Sequence, residues 1–288
     1  MIFIMNNIEK GTLYICGTPI GNLEDITIRQ LKTLRLVDFI ACEDTRHTLK
    51  LLSRYKIKAR LISFHEHNYK KKSDDIIALL LEGKSVALVS DAGMPVISDP
   101  GEGIVNLCRA AGITCTTVPG PTALVSGFVL SGVKSDGFVF SGFFPKDNKG
   151  QKLEIELLKR EPKATVYYEA PHRLKKTLSL LLKSLGPERS AAVVREITKI
   201  HEESRYDTLA NLYNHFDENE PRGEIVLLIE GTGLVNGGDR LEYDGLTIEE
   251  HMKIYLEQGL DNKEAMKKVA KDRGVSKRDI YAALQKDR

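Results

Sequence analysis

Ser90 to Gly101 reads SDAGMPVISDPG and directly follows Val86-Ala87-Leu88-Val89, an apolar run of strand length. The turn therefore opens at the carboxyl end of a predicted strand, where ligands bind in open α/β sheets. It carries aspartates, glycines and prolines, and no lysine. A phosphate site on a βα turn offers backbone N–H groups, usually beside a cation, and Asp91 and Asp99 would repel its ligand. The first such turn, CGTPIGN, holds Gly17 and Gly21 but matches neither G-x-G-x-x-G nor G-x-x-x-x-G-K-[ST]. A dinucleotide or nucleoside triphosphate is thus disfavoured. A ligand with hydroxyls, an amine or a cationic centre suits the loop, with close backbone approach at Gly93 and rigidity from Pro95. S-adenosylmethionine has all three features. The same residues equally suit a plain turn that caps a helix starting near Glu102.

Other clusters carry weaker signals. FHEHN places His65 and His67 two apart at a strand end, on one face if the strand continues, which could suit a metal. No third ligand is visible, so no metal is expected. His65, His67 and Asn68 run into Tyr69 and Lys70 to Lys72, which suits RNA contact or a solvated charge run. In EAPHR, His172 and Arg173 begin a predicted helix and could hold RNA phosphate or cap that helix. Cys16, Cys42, Cys108 and Cys115 stand singly in apolar or helical contexts and read as inert reduced thiols.

The elements that must position these groups follow from periodicity. Strand-like runs at Leu13-Cys16, Phe39-Cys42, Leu61-Phe64, Val86-Val89 and Thr114-Val118 alternate with helix-period stretches such as 26–37 and 73–81, which predicts parallel β/α. A second series follows: strands at Thr165-Tyr168, Ala191-Arg195 and Ile225-Ile229, helices near 152–159, 174–185 and 208–216. The chain thus divides into α/β units over 1–120 and 121–232, a Gly/Asn/Asp-rich linker over 233–245, and a helical tail over 246–288. With 288 residues, 42% of them hydrophobic, it can bury two cores. No apolar stretch reaches ~18 residues and no cleavable leader is visible, so a cytoplasmic protein without a membrane partner is expected. The net charge of +2 decides nothing about partners, but its distribution does. From Lys263 onward basic residues outnumber acidic ones, and RGVSKRDIYAAL reads as a turn into a recognition helix, N-capped by Ser276, that presents Lys277 and Arg278. A dimer-packing appendage is the alternative.

GTLYICGTPIGNLEDIT, CEDTR, SDAGMPVISDPG, PGPTA, YEAPHR, REITK and RGEIVLLIEG stand in one order and spacing. The set resembles the tetrapyrrole-methylase-like (class III) methyltransferases, in the branch that acts on ribosomal RNA, over nearly the whole chain. Met94 departs from the usual threonine, Ile197 from leucine and Arg222 from lysine. The resemblance implies two α/β domains of the tetrapyrrole methylase type with S-adenosylmethionine in the cleft between them, commonly as a homodimer. It also implies methylation of the ribose 2′-hydroxyl of a cytidine in the decoding region of 16S rRNA, free or in the small ribosomal subunit. Carried over by motif, the cofactor residues are Pro19, Asp91, Gly93, Met94, Ile97, Thr122 and Ala123, with Tyr168, Ala170 and Arg195 from the second domain. Arg46 of CEDTR joins the RNA-binding candidates. A methyl transfer from a sulfonium needs no metal, but a ribose hydroxyl needs a proton acceptor or an oxyanion partner. Lys199 and Glu196 of REITK are the catalytic candidates, with a surface ion pair as the alternative.

Overall fold

The computed structural model describes residues 7–65, 68–97, 102–233, 246–273 and 275–286. Five strands, β1 (Thr12–Cys16), β2 (Phe39–Cys42), β3 (Arg60–Ser63), β4 (Val86–Leu88) and β5 (Thr114–Val118), form an all-parallel sheet in the order β3-β2-β4-β1-β5. Parallel neighbours need crossovers. Helices α1 (Ile28–Leu36), α2 (Thr45–Arg54), α3 (Tyr69–Leu81) and α4 (Glu102–Ala110) supply them. Alternation along the strands sends Leu13, Ala41, Val86 and Leu88 into one apolar layer and Tyr14, Cys16, Ile40, Cys42 and Ala87 into the other. Burial pushes the Cys16 and Cys108 thiols up to about 12, and no described cysteine is bonded to another.

After β5 the chain crosses through Pro119-Gly120-Pro121 to α5 (Ala123–Ser131), which packs on a second sheet. Its strands are β6 (Phe138–Phe143), β7 (Ala164–Glu169), β8 (Ser190–Arg195), β9 (Glu203–Thr208) and β10 (Ile225–Ile229), in the order β6-β7-β10-β8-β9. Only β6 and β7 run parallel; β10 lies antiparallel between β7 and β8, and β9 closes the edge against β8. This second sheet is mixed. Helices α6 (Asn148–Leu158), α7 (Pro171–Leu185) and α8 (Leu209–Glu218) connect its strands, and Tyr167, Leu174, Leu178, Leu212 and Leu227 form the core beneath them.

The tail helices α9 (Ile248–Glu257), α10 (Asn262–Asp272) and α11 (Lys277–Lys286) share a small core of Met252, Tyr255, Ala265, Val269, Ala270 and Ile280. Ser276 caps α11: its Oγ accepts from the Asp279 N–H at 3.2 Å, and Asp279 Oδ2 accepts from the Ser276 N–H at 3.1 Å. Most of the 233–245 linker, together with Asp99 and His67, lies outside the described residues. No described helix is long and apolar enough to cross a membrane.

Candidate active site

Three neighbouring strands, β4, β1 and β5, end side by side, so the loops after them must share one space. Thr18 and Gly93 exchange backbone hydrogen bonds at 2.9 and 3.1 Å, tying the first turn to the SDAGMP loop. The Thr18 hydroxyl donates to the Ser90 carbonyl at 3.1 Å, and Ser90 Oγ donates to the Gly93 carbonyl at 3.0 Å. Gly93 has φ of +80°, and a Cβ there would lie 3.2 Å from Ile20 Cγ2. Val96, two residues past Met94, also has positive φ, +75°, where a β-branched residue is strained. On the other side Gly17 and Gly120 pack backbone to backbone, and Gln30 Nε2 donates to the Gly17 carbonyl at 2.6 Å. Thr122 N-caps α5 by accepting from the Val125 N–H at 3.1 Å, which aims the start of that helix at the same space.

The second sheet supplies the opposite wall through the end of β7, the start of α7 and residues Gly223 to Val226 before and within β10. Between the walls lies a cavity of about 370 Å³ lined by Asp91, Ala92, Gly93, Met94, Ile97, Thr122, Ala123, Tyr168 and Ala170 among others. Among the described residues its lining holds the carboxyl residues Asp91, Glu169 and Glu224, and no lysine or arginine. Glu169 is paired with Arg173 and Glu224 with Lys199, so Asp91 is the lining carboxylate without a cationic partner among the described residues, and it suits a sulfonium ligand better than a phosphate. A second cavity of about 540 Å³ adjoins it, between Pro19 to Gly21 and α2 on one side and Lys199 on the other. The two share Ile20, Asp91, Ala92 and Glu224. Asp91 is oriented by the Asp44 N–H, which donates to its Oδ1 at 3.2 Å.

Eight of the ten expected cofactor residues thus line the first cavity; Pro19 lines the second, and Arg195 lines neither. Arg195 Nε instead pairs with Glu203 Oε2 at 2.5 Å across β8 and β9. Arg173 is not a free phosphate ligand: only 17% exposed, it donates from Nη2 to the Phe144 and Pro145 carbonyls and sits 3.3 Å from buried Glu169. Its guanidinium holds the wall of the cavity, whereas His172 beside it is exposed. His65 and Asn68 turn inward on each other, with Asn68 Oδ1 accepting from the His65 N–H at 2.9 Å and Nδ2 donating to the Ser63 carbonyl at 3.1 Å. They close the β3–α3 turn. Lys70, Arg46, Lys277 and Arg278 are exposed, Arg46 in an ion pair with Asp44 at 3.0 Å. No described group of histidines, cysteines and carboxylates could hold a metal.

Lys199 and Glu196 do form the pair expected of them, at 2.8 Å, and Lys199 also reaches Glu224 Oε2 at 2.9 Å. Burial alone would lower the Lys199 ammonium, but its hydrogen bonds to the two carboxylates outweigh that and hold it above the ordinary lysine value. The Lys199 hydrogen bond in turn holds Glu196 below the usual carboxylate range, with burial opposing. Lys199 is therefore a cation and not a base. Its strap contains two left-handed residues, Glu196 and Thr198. That strap grips the first half of the chain: Thr198 Oγ1 accepts from the Asn22 N–H at 3.0 Å, and Gly21 packs on the Lys199 stem. Sequence reasoning missed His47 and Lys50, which also line the second cavity; their i, i+3 spacing on α2 was the available signal.

A parallel and a mixed α/β sheet, with a carboxylate-bearing cavity where their loops face each other, have the architecture of a two-domain α/β enzyme with its site in the cleft. A family profile described as tetrapyrrole (corrin/porphyrin) methylases matches residues 12–213. Ribosomal RNA small subunit methyltransferase I of Halalkalibacterium halodurans is 43% identical over 95% of this chain and 94% of its own. The protein of the same name from Thermotoga maritima is 48% identical over 77% of this chain and 99% of its own. Among solved structures, a cobalt precorrin-4 methyltransferase superposes with a TM-score of 0.59 at 19% identity, over 76% of this chain and 95% of that one, and shows the fold alone. The chain belongs to the tetrapyrrole methylase family, among the ribosomal RNA small subunit methyltransferase I proteins. It is a methyltransferase whose cofactor is S-adenosylmethionine.

Proposed function

We propose that the protein methylates the ribose 2′-hydroxyl of a cytidine in the decoding region of 16S rRNA, as a cytoplasmic homodimer. The observation that carries this reading is the shared wall of the two cavities: a donor in the smaller and a ribose in the larger would meet across Asp91 and Glu224. Names borne by relatives at 43% and 48% identity support the rRNA substrate. Exposed apolar side chains on α5, Val125 and Val129, support a second copy.

S-adenosylmethionine supplies a methyl group already activated by its sulfonium charge, so the work left to the chain is placement and proton handling. Asp91, Gly93, Thr122 and Ala170 would hold the cofactor. Asp91, on the wall common to both cavities, would take the hydroxyl proton. Lys199 offers its ammonium to the developing oxyanion, and Glu196 fixes Lys199 without lining either cavity. In this reading residues 1–120 and 121–232 are the two halves that close on the ligands, and 246–288 is an RNA-facing module.

Small ribosomal subunits, free 16S rRNA and a tetrapyrrole, each offered with tritiated S-adenosylmethionine, test the substrate. A 2′-O-methyl group removes the nucleophile that alkaline cleavage requires, so one new hydrolysis-resistant position in the rRNA is the expected result. Label on a base ring, or on the tetrapyrrole alone, overturns the reading.

A further inference from the structure

The second cavity carries charge that the reaction above does not use. His47 and Lys50 line it from α2, and Arg54 follows one turn later. At 100° per residue these positions and Leu51 fall within one arc of the helix, so α2 presents a basic stripe along the groove. All three basic side chains are exposed, and among the described residues none forms an ion pair with a carboxylate. By contrast Arg46, on the same helix, is neutralised by Asp44. Leu23 and Leu51 add an apolar strip to the lining. The Leu23 strip is anchored to α2, because the Tyr55 hydroxyl donates to the Leu23 carbonyl at 2.5 Å.

We infer that this face of α2 is the track for the RNA backbone beside the target nucleotide, with His47, Lys50 and Arg54 contacting successive phosphates and Leu23 and Leu51 under a base. The inference rests on the rRNA reading given above. From His47 to Arg54 the helix advances roughly 10 Å, enough for more than one phosphate of a single strand. Among the described residues the cofactor cavity has no basic lining, while the adjoining groove is lined by His47 and Lys50 with Arg54 just beyond it, so polyanion and sulfonium are sorted into separate compartments. The carboxylates on the shared wall mark where the phosphates must stop and the ribose begin.

The test compares wild type, Lys50→Ala/Arg54→Ala and, as a distant surface control, Lys183→Ala. Binding of a 16S rRNA fragment is measured as a function of salt, S-adenosylmethionine binding by calorimetry, and methyl transfer under saturating cofactor. The double variant is expected to keep its cofactor affinity within twofold, to raise the KM for RNA about tenfold or more, and to flatten the slope of log K against log salt by on the order of one to two units. Lys183→Ala should match wild type. If the wild type methylates rRNA and the double variant has an unchanged salt slope and KM, the track is wrong and the substrate assignment stands. If the wild type neither binds nor methylates rRNA, the substrate assignment fails and the track fails with it. His47→Ala alone should flatten the slope less than the double variant does, since it removes one contact and not two.

Discussion

Two glycines with similar positive φ separate strain from function. Gly93 (φ +80°) faces the cavity with Ile20 Cγ2 close by, whereas Gly112 (φ +69°) has nothing within 4 Å of the point a Cβ would occupy. An L-residue in this region costs about 1–2 kcal/mol, so Gly93→Ala and Gly112→Ala should both lower Tm by a few degrees. Calorimetry is expected to find S-adenosylmethionine affinity reduced at least ~10-fold only in Gly93→Ala. An equal affinity in both variants would make Gly93 a turn residue and nothing more. Lys199 gives a test with a pH axis. Glu196 is held below the usual carboxylate range, so its contribution is present above the unfolded value of about 4.3 and lost as pH falls through the lowered one. Lys199 is held above its ordinary value, so its contribution is complete below the unfolded value of about 10.4 and lost as pH rises through the raised one. The destabilisation caused by Lys199→Met should therefore be largest near neutrality and shrink toward both extremes in urea melts. Methyl transfer by the same variant should fall in kcat with cofactor affinity unchanged, since Lys199 lines the second cavity and not the first.

At the scale of elements, the join between the halves is governed by a loop and a strap. Ile20 leaves the first turn and packs among Leu124, Val166, Val194 and Val226 of the second half, 6% exposed. Burying such a side chain is worth about 1.5–3 kcal/mol, against about 1 kcal/mol for the Asn22–Thr198 hydrogen bond beside it. Ile20→Ala should thus cost about 2–5 kcal/mol and weaken cofactor binding, while Thr198→Ala costs less than half as much in chemical denaturation. Sequence makes some of these elements plain and hides others. β2, β5 and β10 are compact runs bounded by turn residues, and their limits are legible to the residue. β9, Glu203-Ser204-Arg205-Tyr206-Asp207-Thr208, has no apolar pattern; it is a strand because β8 offers it a ladder at the sheet edge. The insertion of β10 between β7 and β8, antiparallel to both, is a long-range pairing that no local window contains. α2 carries a readable signal of its own: Asp44 caps it, and Thr48 and Leu52 repeat on its buried face. The inward turns of Arg173 and Arg195 are not legible, because Phe144, Pro145 and Glu203 reach them only through the tertiary fold.

In the whole molecule, α9 to α11 have their own core and no part in either cavity. Removing 246–288 should leave S-adenosylmethionine affinity within twofold, lower affinity for rRNA, and reduce its salt dependence by roughly 0.7–0.9 for each phosphate no longer neutralised. A truncated protein that becomes monomeric, loses cofactor and keeps the full salt slope would make the tail an assembly element. The two sheets are also segregated along the chain: every strand of the first lies within 12–118 and every strand of the second within 138–229, with no exchange between them. During synthesis the amino-terminal sheet can therefore complete itself while the rest is still inside the ribosome. The wall formed by Tyr168, Ala170 and Gly223 to Val226 emerges last of the cavity's parts. A nascent chain stalled before β10 would carry a finished first half and a second sheet without the strand that joins β7 to β8, so one wall of the cavity would be left unassembled.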